Sequence, residues 1–183
     1  MMQALLKTAT AALIALATAA QAQVPRQKHD PKHPEPAAPA VATDKRDRVV
    51  AASGTFNGHP YWLALAQCGG IYFRLNIFYT DIAVQARVVK PDPKINAEYS
   101  KKLTDAIKTA TIYFNGAEHF LMADRGIERA DAVLTYDPQS RAAGDRLKTI
   151  DAALTAAKSC PVLYQACRSA FTKECNEQPA PTG

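Results

Sequence analysis

Between Pro60 and Val88, six residues recur at intervals of three and four: Leu65, Cys68, Tyr72, Leu75, Tyr79 and Ile82. That spacing puts all six on one face of an α-helix and does not suit a strand, whose faces alternate at every second residue. Trp62, Ile71, Phe73, Ile77 and Phe78 widen the apolar surface, as a helix at the centre of a bundle requires. Pro60 suits the first position of such a helix. Gly69 and Gly70 each weaken it by about 1 kcal/mol relative to Ala, and the pair predicts a kink or the close approach of a neighbouring helix. A membrane span over residues 61–79 is the rival reading. Gln67, Arg74 and Asn76 interrupt that run, and an arginine at mid-membrane is costly.

Helical spacing returns downstream. Lys90-Pro91-Asp92-Pro93 breaks the chain. Leu103, Ile107, Ala110, Phe114, Ala117 and Leu121 then stripe a second helix over 94–124, with Lys101, Lys102, Asp105 and Lys108 facing water and Gly126 as its C-terminal cap. A short helix is predicted over 127–134. Asp137-Pro138 reads as the N-cap and first residue of another helix, which runs to about residue 158 with Ala143, Leu147, Ile150, Leu154 and Ala157 on one face. Cys160-Pro161 opens the last helix, which carries Leu163, Cys167, Ala170 and Phe171. No stretch alternates as a strand does. The expected fold is all-α: a compact bundle of four to five helices over 49–176, with a frayed tail over 177–183.

Two segments precede the bundle. Residues 1–22 carry one charge, Lys7, then the apolar run 11–17, then Ala20-Gln21-Ala22. A basic start, a short apolar core and an A-x-A site are the parts of a secretory signal peptide, so the mature chain is expected to begin at Gln23. The apolar run is too short and too interrupted by threonines to span a bilayer, and no transmembrane span is expected after cleavage. Residues 23–48 hold Pro25, Pro31, Pro34, Pro36 and Pro39 and almost no bulky apolar side chains. Such a segment cannot bury enough surface to offset its ordering entropy and is expected to be a disordered spacer. His29 and His33 within it are too few for a metal site.

All four cysteines, Cys68, Cys160, Cys167 and Cys175, lie beyond the cleavage site. An even count in an exported chain points to disulfides and to a periplasmic or extracellular location. Residues seven apart in one helix are about 10 Å apart along its axis. Bridged Cα atoms lie within about 7 Å. If residues 161–175 form one helix, Cys68 pairs with one of the other three. If the chain bends before Cys175, two bridges form, and Cys68–Cys160 with Cys167–Cys175 is the least strained pairing.

The sequence excludes more chemistry than it supports. C-x-x-C, C-x-x-C-H, H-E-x-x-H, Gly-x-Ser-x-Gly and a Gly-rich phosphate loop are all absent, so no cofactor, metal or catalytic residue is assigned. The net charge of +5 falls to +4 once Lys7 leaves with the signal, and the cations are scattered. Nucleic acid is therefore not an expected partner. Arg74 sits in the most apolar stretch and is a candidate for binding an anionic ligand, with Trp62 and Tyr72 as candidate walls of an aromatic pocket. The leading expectation is a non-catalytic exported helical module that binds an envelope protein or cell-wall component. The alternatives are a small-molecule carrier with a pocket near Arg74, and a small hydrolase-type enzyme using His119 or Cys68.

Overall fold

The computed structural model describes residues 40–51 and 54–175. The expected signal peptide over 1–22, the lead as far as residue 39 and the tail over 177–183 lie outside the described residues. Five helices carry the fold: α1 (Tyr61–Val84), α2 (Pro93–Arg125), α3 (Arg129–Asp145), α4 (Ile150–Ala157) and α5 (Cys160–Ala170), followed by the single turn α6 (Thr172–Cys175). The architecture is all-α, as the apolar spacing requires.

Two prolines set the α1–α2 hairpin. A residue before proline is pushed from helical to extended backbone. Lys90, before Pro91, has φ −133° and ψ 87°, and Asp92, before Pro93, has φ −139° and ψ 100°. The end of the first helix widens into a π-helical turn over Gln85–Val89, closed by Lys90 N–H donating to the Gln85 carbonyl at 3.0 Å. The Asp92 carboxylate then caps α2, accepting from the Lys94 and Ile95 backbone N–H groups at 3.0 Å each, with Pro93 in the first turn where no N–H is missed. Gly126 ends α2 in the left-handed conformation, φ 66°, that glycine adopts without penalty.

α1 is the central element and packs against α2, α3, α4 and α5. Its first six residues, Tyr61 to Ala66, are all buried, as are Cys68, Gly69, Gly70 and Ile71. The Gly69-Gly70 pair serves close approach. A Cβ on Gly70 would overlap the Ser140 carbonyl of α3, and one on Gly144 of α3 would come within 2.8 Å of the Gly70 carbonyl oxygen. A Cβ on Gly69 would meet the Phe114 ring of α2.

The helix boundary expected at Asp137-Pro138 is corrected. α3 runs unbroken through Pro138, and the break falls instead between Asp145 and Ile150, where Thr149 caps α4 by accepting from the Ala152 N–H at 3.2 Å. Pro138 is tolerated because it is exposed and the carbonyl it leaves without an intrahelical donor belongs to Leu134, whose residue is 73% exposed.

Both bridges form. Cys68 of α1 is bonded to Cys160 at the start of α5, with Cα atoms 5.7 Å apart, and Cys167 is bonded to Cys175, 6.0 Å apart. The second is possible because α5 stops at Phe171, φ −137°, and the chain folds back through α6. Tyr164 holds that fold-back by donating its hydroxyl to the Cys175 carbonyl at 2.8 Å.

The last residues of the expected spacer belong to the packed structure. Asp47 accepts from Arg125 at 2.8 Å through both carboxylate oxygens and from the Trp62 indole N–H at 3.1 Å. The Arg48 guanidinium pairs with Asp124 at 2.6 Å and Glu174 at 2.8 Å while lying over the Phe120 and Phe171 rings. Apolar content underestimates this segment because its attachment is ionic. The Asp47 carboxyl is pushed upward by burial, but the hydrogen bonds from Arg125, the segment's own backbone and Trp62 outweigh that, and its pKa falls below the usual carboxylate value.

Candidate functional site

The three residues singled out for ligand binding lie on one helix but face three different surroundings. Trp62 is 1% exposed, with its indole donating to Asp47 and the Arg125 guanidinium 5.1 Å from its ring centre. It is a structural anchor for the N-terminal lead. Tyr72 is half-buried and stacks on Tyr113 with ring centres 5.6 Å apart. It borders a groove shared with Tyr79, Lys102, Thr109 and Leu154.

Arg74 borders a separate cavity of about 290 Å³ between α1 and α3, with Phe73, Phe114, Asp137, Arg141 and Asp145 around it. Its Nε donates to the Leu147 carbonyl at 3.0 Å, and its guanidinium lies 4.7 Å from the Phe78 ring centre. Arg141 pairs with Asp137 at 2.8 Å. The cavity therefore holds two cations and two carboxylates, a balanced set rather than a well for an anion. Its volume is at the lower end of small-molecule sites.

Of the residues considered for catalysis, Cys68 is fully buried and bridged, so it has no thiol with which to attack. His119 is half-buried on α2 and enters no hydrogen bond or ion pair among the described residues. Its neighbour Glu118 is buried and pairs with Arg129 at 2.9 Å. No group of three or more His, Cys, Asp or Glu side chains among the described residues is arranged to hold a metal ion. No helix among them is long and apolar enough to cross a membrane.

The surface feature not anticipated from the sequence is the end of the α1–α2 hairpin. Val84, Val88, Val89 and Ile95 are exposed there, Val88 at 65% and Val89 at 76%. Arg87, Lys90 and Lys94 stand exposed among them and take part in no ion pair. The elements packed against this turn are α1 and α2. Tyr79 borders the groove beside Leu154 of α4; the five α-helical residues from there to Val84 rise about 7.5 Å, and the π-helical turn to Val89 follows. In the sequence Arg87-Val88-Val89-Lys90 only Val88 falls off the stripe; Val89 continues its spacing through Ala86, and it is the π-helical winding that leaves Val89 uncovered.

No family model, no curated protein and no solved structure matches this chain. The functional reading therefore rests on the chemistry of these surfaces.

Proposed function

We propose that this chain is an exported, non-catalytic helical module that acts by binding a component of the cell envelope. The observation that carries the reading is one cluster among its exposed apolar side chains. Val84, Val88, Val89 and Ile95 gather with three unpaired cations at one end of a hairpin, whereas Trp62, Arg74 and Cys68 are engaged inside the structure. Contiguous exposed apolar surface of this kind marks interaction sites on folded proteins. Two disulfides fit an oxidising compartment and support export, as does the signal-like start of the sequence. The test is fractionation of the native cells. The chain is expected with the envelope, released by detergent or salt together with what it binds. A freely diffusing chain recovered from the cytoplasm would overturn the reading.

A small-molecule carrier is the second reading, favoured by the cavity beside Arg74. In that case Arg74→Ala abolishes retention of an anionic ligand in the native mass spectrum. Retention unchanged by the substitution removes the idea.

A further inference from the structure

We infer that the α1–α2 hairpin end is a docking point for an anionic phospholipid surface, with Val88 and Val89 entering the headgroup region and Arg87, Lys90 and Lys94 pairing with lipid phosphates. The inference rests on the envelope-binding reading and names its partner.

Three observations converge on it. The valines are uncovered in the turn that joins α1 and α2, the two helices that pack against it. The cations interleave with them along one turn of chain, which is the composition that binds an anionic interface: apolar side chains for the acyl boundary and Lys or Arg for the headgroups. Two carboxylates stand near the turn, Asp81, exposed on α1, and Asp92, which accepts from the α2 backbone at Lys94 and Ile95, against the three cations; the next along α2, Glu98, is paired with Lys102 at 2.6 Å. The turn thus presents net positive charge outward. A protein groove would suit the valines equally, but three unpaired cations around them favour a surface carrying many phosphates.

The geometry also suits the π-helical turn. Its wider winding puts Val89, as the spacing already puts Val88, out of register with the apolar stripe of α1, so neither folds back against α2. Ala86 is the one buried residue of this turn, and its carbonyl accepts from the Asp92 N–H at 2.7 Å.

The test is sedimentation of the purified, oxidised full chain with vesicles of phosphatidylglycerol and phosphatidylethanolamine, against vesicles of phosphatidylcholine. Binding is expected to the anionic vesicles alone and to weaken as salt is added. Each cation near an anionic surface is worth about fivefold in affinity, so replacing Arg87, Lys90 and Lys94 together by Gln is expected to weaken binding about a hundredfold. Val88→Asp with Val89→Asp is expected to abolish it. Val162→Asp, an equally exposed site on α5, is expected to change nothing. Because the substituted side chains are exposed, urea midpoints should match the parent chain and separate lost binding from lost folding. Val89→Trp supplies a direct readout, since its emission should shift to shorter wavelength on anionic vesicles only.

Failure to sediment with anionic vesicles, or sedimentation unaffected by the hairpin substitutions, overturns the lipid inference. A photoreactive residue in place of Val89 distinguishes what then falls. Cross-linking to a protein in native envelopes would leave the binding-module reading standing with a protein partner. Cross-linking to neither lipid nor protein would overturn both.

Discussion

Cys68 and Cys160 are 92 residues apart in the sequence and 5.7 Å apart between Cα atoms. This bond ties the central helix to the C-terminal end of the bundle, and the loop it closes spans most of the fold. On the chain-entropy estimate a loop of that length is worth about 4–5 kcal/mol, against about 2.5 kcal/mol for the eight-residue separation of Cys167 and Cys175. Replacing Cys68 and Cys160 by Ala is therefore expected to lower stability in urea by more than replacing Cys167 and Cys175. Equal losses would mean that the long bridge contributes no more constraint than the short one.

Gly70 and Gly69 should respond differently to the same methyl group. A Cβ on Gly70 meets a backbone carbonyl at Ser140, which cannot move without displacing α3, so Gly70→Ala is expected to cost about 2–3 kcal/mol. A Cβ on Gly69 meets the ring of Phe114, a side chain that stacks on Tyr136 but borders the cavity beside Arg74 and so has space to shift that a backbone carbonyl lacks. Alanine adds helix propensity of about 1 kcal/mol. Gly69→Ala is expected to cost clearly less, as read by denaturant midpoints.

Asp47 gives the pH dependence its sign. Its carboxyl pKa is lower in the folded chain than in the unfolded one, so ionised Asp47 stabilises the fold above the unfolded value of about 3.9. That stabilisation is lost as pH falls through the lower, folded value. Its side chain is 2% exposed and that of Arg125 is 11% exposed, and removing one partner of such a pair costs about 3 kcal/mol. Asp47→Asn is expected to destabilise by about that amount at neutral pH, with the difference from the parent shrinking below about pH 4. A difference independent of pH down to acid unfolding would show that the charge is not what matters.

Tyr113 is fully buried, stacks on Tyr72 and meets Tyr164 edge-on, yet its hydroxyl has no hydrogen-bond partner among the described residues. Burial pushes its pKa far above the usual phenol value, with smaller upward contributions from Tyr72 and Tyr164. Removing a buried, unbonded hydroxyl relieves its desolvation cost. Tyr113→Phe is expected to leave stability unchanged or raise it by up to about 1 kcal/mol in thermal unfolding. A loss of that size would show a hydrogen bond at this site.

The parts of the fold that obey helical spacing were legible in the sequence. The α1 stripe and the Gly126 cap follow from periodicity and backbone preference, whereas reach left the bend before Cys175 open and gave only the pairing, Cys68–Cys160 with Cys167–Cys175, that such a bend would allow. Pro138 misled because its cost depends on whether the carbonyl it strands can reach water, and exposure of Leu134 is a tertiary fact. The attachment of Asp47 and Arg48 was hidden because their partners, Asp124, Arg125 and Glu174, lie more than 70 residues away. The candidate site was least legible. Arg74, Trp62 and Tyr72 attract notice as polar or aromatic residues in an apolar run, and their helix turns them toward different neighbours. The hairpin valines attract none until it is known that nothing covers them.

The most direct test of an exported, disulfide-held binding module is the intact mass of the chain recovered from the envelope of its native cells, before and after reduction. The expected result is a chain beginning at Gln23, with no thiol open to alkylation until reduction and a gain of about 4 Da when both bridges open. A chain beginning at Met1 with four alkylatable thiols, recovered from the cytoplasm, would contradict it.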